Sequence, residues 1–435
     1  MNQKNYDAII IGAGIIGNSI GYELAQKGYK TLNIDKLGDS GAGSTAGSCA
    51  IVRLYYSSPE GVALAREGYY YWLNWRRYLK VADPAGMAFY KNTGAIVFKT
   101  PGNKFLEPVK SALESLGVGY LDLSPDQIKD YLPNPDLRSF NPQYTLDDPN
   151  FGKPSDDNVD GALFLPETGY VSDPKLSTHN VEIAARAQGA DFMFNTEVTD
   201  ILVQNGRAAG VEVAGGKQIF APVVVNVAGP HSYLINRMAG VEDKMKIKTR
   251  ALRVEVAHVP SPEGLDWENT GVITSDSDIS IYTRPEVGNH FLIGSEEPKC
   301  DPLEYVDPDN YNTDFTDQNR TQAIRGAMRL PDMPIPNKSQ GLVDLYDVTD
   351  DWYPIYDKSD LPGFYLAIGT SGNQYKNAPA VGSFMSELIQ YCESGNDHDK
   401  TPFQYQTRFI NHTLDISFFS RNREINRNSS FSVIG

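Results

Sequence analysis

Short apolar runs alternate with amphipathic stretches over the first 80 residues, the pattern of a chain that lays down strands and helices in turn. The run from Ala8 to Ile11 predicts a buried strand, residues 15–26 a helix, and a second apolar run ends at Asp35. Residues 60–78 continue as an aromatic-rich helix. The pattern then changes, with a strand at 93–99, a helix at 102–116 and a Pro/Asn/Asp-rich stretch at 132–160 that predicts an exposed, mobile loop. Alternation returns with an apolar run at 163–171, a helix at 174–189, a strand at 192–194 and a hairpin from 197–203 and 207–213. Residues 222–230 hold a buried strand that meets a glycine turn. Strands dominate from 238 to 341, with a helix at 316–330, and 364–391 reads as strand, glycine loop and helix. The tail from 396 is polar and ends rich in Ser, Asn and Arg, as a surface-wrapping extension or a docking segment.

This order predicts an α/β (α+β) architecture. Residues 1–82, 160–236 and 341–396 form a discontinuous, Rossmann-like nucleotide-binding domain. An inserted substrate domain, from 83–159 and 237–340, rests on a mainly antiparallel sheet, and 397–435 form an extension. At 435 residues the chain exceeds a typical single core, which agrees with two domains.

The turn after the first strand carries the first chemistry. Gly12 permits a sharp turn, Gly14 lets backbone approach a pyrophosphate, and Gly17 lets the helix pack on the sheet. The helix starting at Ile15 and Ile16 offers unpaired N–H groups to phosphate, and Asp35 is spaced to accept from a ribose. A bound dinucleotide makes a redox enzyme the leading expectation.

The formal charge of −16 argues against nucleic acid and anionic membrane surfaces, which need basic patches. Cys49, Cys300 and Cys392 form neither a disulfide framework nor a zinc spacing, and the six histidines show no metal spacing. No metal is expected. The apolar run at 8–17 is too short and glycine-rich for a signal segment, and no stretch reaches the length of a membrane span. The expected location is cytoplasmic.

Four motifs carry a resemblance over almost the whole chain: IIIGAGIIGNSIGYELAQKGYKTLNID, GSTAGSCAIVRLYY, VVVNVAGP, and LYDVTDDWYPI followed by GFYLAIGTSGNQYKNAPAVGSFMSELI. Together they resemble the D-amino-acid oxidase superfamily of flavoproteins, in its sarcosine oxidase and dimethylglycine dehydrogenase branch. The resemblance implies FAD rather than NAD. It places Lys36, Gly43, Ser44, Thr45, Ser48, Cys49, Ala50, Val198, Ala228 and Gly229 along the cofactor, with Gly369, Ser371, Gly372, Asn373 and Gln374 at the flavin ring. It also implies that Arg53 and Lys376 grip a substrate carboxylate, and that Tyr282 and Tyr346 stand beside the substrate. A guanidinium suits the first task because its planar fork matches two carboxylate oxygens.

Two departures are visible. Leu292 stands where family oxidases commonly carry a lysine that assists reaction with oxygen. Asp344 and Ala46 stand where relatives use Cys or His to bind flavin covalently, so the FAD is expected to be non-covalent. Cys49 reads as a buried, inert thiol near the flavin, His231 as a residue of the adenine side or the surface, and His290 as the one histidine near the pocket. The implied activity is oxidation of a small secondary or N-methylated amino acid by hydride transfer to flavin N5, with hydrolysis of the imine. The alternatives are a 2-hydroxy-acid dehydrogenase, which would use a base such as His290, and a flavin-holding subunit of a larger complex. The electron acceptor (quinone, electron-transfer protein or oxygen) and assembly as a homo-oligomer or with a partner subunit stay open.

Overall fold

A computed structural model describes residues 6–434. Residues 1–5 and 435, the outer ends of the expected first and last segments, lie outside the described residues. Ala8–Ile11 runs at the centre of a six-stranded sheet, parallel to Val223–Asn226 on one side and Thr31–Ile34 on the other. Phe364–Ile368 and Asp191–Met193 extend it in parallel, and Ile355–Lys358 closes one edge antiparallel. All four residues of the central strand are buried because both faces are covered. Ala8 and Ile10 pack with the helices Ile15–Gln26 and Ala378–Glu393, while Ile9 and Ile11 pack under the meander Val198–Gln204, Arg207–Val213 and Lys217–Phe220.

A second sheet orders Leu121–Leu123, Ala162–Leu165, Ala95–Phe98, Ile273–Asp276, Ile281–Glu286, His290–Ser295 and Thr249–Pro260. Both Gly341–Thr349 and Glu304–Tyr305 pair with the last of these. Every pairing is antiparallel except Ile273–Asp276 with Ala95–Phe98. The helix Asp317–Arg329 covers the face carrying Phe98, Phe291 and Ile293.

This topology moves two expected boundaries. Ala162–Leu165 and Gly341–Thr349, which open two of the expected nucleotide-binding segments, pair in the antiparallel sheet and not in the six-stranded one. A short apolar run reads the same in either sheet, and the partial exposure of Leu342, Val343 and Asp344 is that of a strand with one open side. The expected loose loop at 132–160 is also tied down. Leu132, Phe140 and Val159 are buried, and the Phe140 N–H donates to Asp278 at 2.8 Å. Arg329 bonds the carbonyls of Asp136 and Arg138 while pairing with Asp276 (2.7 Å) and Asp278 (2.9 Å). Pro and Asn make a backbone irregular without making it loose, and periodicity alone cannot separate the two.

The tail packs back beside the six-stranded sheet. Its hairpin Gln404–Gln406/Thr413–Asp415 leads to Arg421, buried against Asp357, Asp399 and Asp360, and to Arg423 on Asp351. Its last residues then enter the space between the two sheets.

Candidate cofactor and substrate site

A cavity of about 720 Å³ runs from the glycine turn to Arg53. At the first end Gly12 has φ +116°, and a Cβ there would collide with the Val227 carbonyl. A Cβ on Gly17 would meet the Gly12 carbonyl, so helix and turn touch backbone to backbone. Gly14, Ile15, Ile16 and Gly17 line the cavity, and the Ile15 N–H donates to Thr45 Oγ1 at 3.2 Å. Asp35 accepts from the Ala13 N–H (2.7 Å) and the Leu37 N–H (2.8 Å), which fixes its carboxylate at the cavity wall. Lys36 pairs with Asp309 and lies 2.7 Å from His231 Nε2, with Val198, Ala228 and Gly229 close by in the lining.

The loop through Gly43, Ser44, Thr45, Ser48, Cys49 and Ala50 lines the middle. The Ser44 hydroxyl donates to the Leu345 carbonyl at 2.9 Å, and Ser48 Oγ accepts from the Ala50 N–H at 3.0 Å. Cys49 Sγ lies 3.5 Å from the Tyr282 hydroxyl, which lies 3.5 Å from that of Tyr346. Burial pushes the Cys49 thiol and both phenols upward, so all three keep their protons at neutral pH. Asp344 and Ala46 face the same cavity.

At the far end Arg53 is 6 % exposed and lies over two rings, 4.2 Å from the centre of Tyr56 and 4.8 Å from that of Tyr55. Lys376, fully buried, lies 4.9 Å from the centre of the same Tyr56 ring. Its Nζ donates to the Asn373 carbonyl. Burial, and then the charge of Arg53, hold the Lys376 ammonium well below its usual range. The turn Tyr375–Asn377 is set by the helix Pro59–Leu73: the Trp72 indole donates to the Lys376 carbonyl at 2.8 Å, and Gly68 leaves room for that carbonyl.

Among the expected site residues, only Gly369 and Ser371 stay outside the cavity lining. The Gly369 N–H donates to the Asp347 carboxylate (2.6 Å) and the Ser371 N–H to the Asp347 carbonyl (2.7 Å), so both brace the turn from behind. Thr370, Gly372, Asn373 and Gln374 of that turn face the cavity. A sequence announces a tight turn but not which of its residues face inward. His290 also falls away: it is half-exposed at a strand start and outside the lining, whereas His231 lines the Lys36 end. Leu292 is buried but does not line the cavity.

Sequence reasoning missed Tyr55, Ser275, Glu296 and the segment Val433–Ile434, all in the lining. The carbonyls of Val433 (3.1 Å) and Ile434 accept from Arg53, and the Val433 N–H donates to Glu297 at 2.9 Å. A polar tail carries no periodic signal of where its end docks.

A parallel nucleotide sheet, a glycine turn with no room for side chains, and an antiparallel sheet closing a long cavity define a flavin-dependent oxidoreductase. Residues 7–388 match the FAD dependent oxidoreductase family, DAO, and the chain belongs to it. It is 24 % identical to monomeric sarcosine oxidase of Bacillus sp., over 94 % of this chain and 98 % of that one. It is 23 % identical to FAD-dependent oxidoreductase domain-containing protein 1 of Bos taurus, over 88 % and 81 %. The fold is similar to that of L-proline dehydrogenase from P. horikoshii, with TM-score 0.75, 20 % identity, and coverage of 96 % of this chain and 97 % of that one. No helix among the described residues is long and apolar enough to cross a membrane.

The residues present suit FAD: a bare glycine cradle, a helix N-terminus and an anchored Asp35 at one end of the cavity, with small residues through its middle. The purified protein is expected to be yellow, and acid precipitation should release the flavin into the supernatant, because neither Asp344 nor Ala46 can form the thioether or histidyl bond. Flavin that stays with the precipitate contradicts this.

Proposed function

We propose that this enzyme oxidises the C–N bond of a small amino acid, a secondary or N-methylated amine, whose carboxylate lies on Arg53 and Lys376. The observation that carries the reading is the pair itself. Two buried basic side chains share the Tyr56 ring, and among the described residues neither forms a salt bridge: both donate to backbone carbonyls instead. Such a pair is costly until an anion joins it. The similar sarcosine oxidase and L-proline dehydrogenase are both named for secondary amines.

Binding begins at Arg53. The substrate carboxylate replaces the Val433 and Ile434 carbonyls on the guanidinium, and its charge favours the ammonium form of Lys376, against the burial and the Arg53 charge that hold it below its usual range. The Tyr282 and Tyr346 hydroxyls form a polar wall beside it. The amine reacts in its neutral form, which a dry pocket favours. FAD, when bound, supplies the acceptor for the hydride that leaves the carbon next to nitrogen. Water then hydrolyses the imine to an aldehyde or keto acid and an amine. His290, the base the hydroxy-acid alternative invoked, lies outside the cavity lining, and the two readings are separated by turnover.

The test is steady-state turnover with a dye acceptor across matched amino and 2-hydroxy acids, with identification of the carbonyl product. Turnover of amino acids is expected; turnover confined to hydroxy acids overturns the reading. The dye serves as acceptor because the natural one is not fixed by the site, Leu292 lying outside the cavity lining. The tail adds a further expectation. A variant ending at Asn428 should bind acetate, followed by its effect on the flavin spectrum, about tenfold more tightly, since two carbonyl–guanidinium bonds no longer have to be broken. Unchanged or weaker binding would show that the tail does not compete.

A further inference from the structure

Glu296 follows the strand His290–Ser295 and lines the same cavity as Arg53. It is 6 % exposed. The Ser275 hydroxyl donates to its Oε1 at 2.6 Å, while its Oε2 is buried with no hydrogen-bond partner among the described residues. Leaving a buried carboxyl oxygen unmatched is expensive, and native structures rarely do so without a purpose. None of the charged neighbours supplies the missing donor. Asp276 is held by Arg329 at 2.7 Å and Glu297 by the Val433 N–H at 2.9 Å, and the hydrogen bonds of Arg53 run to the Tyr55, Val433 and Ile434 carbonyls, none to Glu296. Tyr55, also in the lining, packs under that guanidinium.

We propose that Glu296 receives the substrate nitrogen, its Oε2 accepting the N–H of the ammonium whose carboxylate is held by Arg53 and Lys376. This rests on the amino-acid reading above and deepens it: one cavity holds an unpaired carboxyl oxygen together with Arg53 and Lys376, the combination a zwitterion needs. The ammonium proton passes to Oε2 before oxidation. One N–H bond breaks and one O–H bond forms, so a neutral amine with its lone pair faces a neutral carboxyl and no electrons leave the pair. Burial, the largest influence, and the nearby Asp276 and Glu297 push the Glu296 carboxyl well above its usual range despite Ser275 and Arg53. A carboxylate so placed is a stronger base than an exposed one.

Glu296→Gln keeps the shape and an acceptor for Ser275 but cannot take the proton. The probes are whichever of sarcosine and L-proline reduces the flavin, and its nitrogen-free isostere: methylthioacetate for sarcosine, cyclopentanecarboxylate for L-proline. Dissociation constants come from flavin spectral titration, and the limiting rate of anaerobic reduction is followed against pH. The variant should bind the amine about ten- to hundredfold more weakly and the isostere within about twofold of wild type. Its reduction profile should move to alkaline pH, toward the ionisation of the amine in solution. Ser275→Ala should give the same selective loss in smaller degree, which keeps the test open if Glu296→Gln folds poorly. Equal loss for both ligands, or unchanged binding with an unmoved profile, overturns the assignment. Wild-type flavin that no N–H amino acid reduces overturns the amino-acid reading itself, and the role of Glu296 with it.

Discussion

Arg53→Lys is expected to lower kcat/KM for a carboxylate-bearing amine by about ten- to hundredfold, although the charge is kept. A hydrogen bond to a charged group is worth roughly 1.5–3 kcal/mol, and lysine cannot reproduce the two parallel N–H groups of the guanidinium fork. The geometry sharpens the expectation. Arg53 is sandwiched against Tyr55 and Tyr56, and a compact ammonium would forfeit that packing as well as the fork. Arg53→Ala should be at least as harmful, and Lys376→Met should act in the same direction, since each leaves one cation to hold the anion. Steady-state kinetics against substrate and against an uncharged ester analogue checks the claim, because the ester should be nearly indifferent to either change. If Arg53→Ala and Lys376→Met both leave the acid substrate's kinetics unchanged, the carboxylate is bound elsewhere.

The second large effect concerns the cofactor. Gly12→Ala should give protein with at least about tenfold less bound flavin, read from the ratio of flavin to protein absorbance. The position holds φ +116°, where L side chains are strained, and the new Cβ would press on the Val227 carbonyl. That carbonyl belongs to the chain leaving Val223–Asn226, whose next residues, Ala228 and Gly229, line the cavity. Moving it therefore distorts two walls of the site at once. Gly28→Ala is the control: its φ is +88°, but no atom lies within 4 Å of a Cβ there and it is remote from the cavity lining. It should stay yellow while losing a little stability. Full flavin content in the Gly12 variant would contradict the role given to the turn.

How much of this was legible in the sequence follows from what each feature asks of the chain. The nucleotide turn demands the absence of side chains at Gly12, Gly14 and Gly17, and absence at fixed spacing is easily read. The parallel strands demand continuous apolar residues, as at Ala8–Ile11 and Val223–Asn226, because both faces are covered. Arg53 and Lys376 stood out because each sits in a motif, and the fold brings them to one ring across more than 300 residues of chain.

Other features depend on facing, which sequence encodes weakly. Gly369 and Ser371 lie in the right turn but on its outer side, braced by Asp347. Burial pushes that Asp347 carboxyl up to about 7. Gly341–Thr349 pairs in the antiparallel sheet, and a nine-residue strand gives no hint in sequence of which sheet it joins. Glu296 followed an apolar strand as any surface acid might, and only the cavity distinguishes it from Glu297, its neighbour. The composition of the tail's final residues suits a surface wrapping or a docking segment alike. Their contact is made by backbone carbonyls, which every residue carries and no sequence pattern reveals.

The central claim is that bound FAD takes electrons from an amine whose carboxylate rests on Arg53 and Lys376. The most direct measurement is anaerobic mixing of the yellow enzyme with sarcosine, L-proline, glycine, D-amino acids and their 2-hydroxy-acid counterparts, following the flavin absorbance through a single turnover. Complete bleaching by at least one N–H amino acid, with a saturating rate, is expected, and none by the matching hydroxy acid. Bleaching by the hydroxy acid alone, or by an amine ester as readily as by the acid, would contradict the central claim.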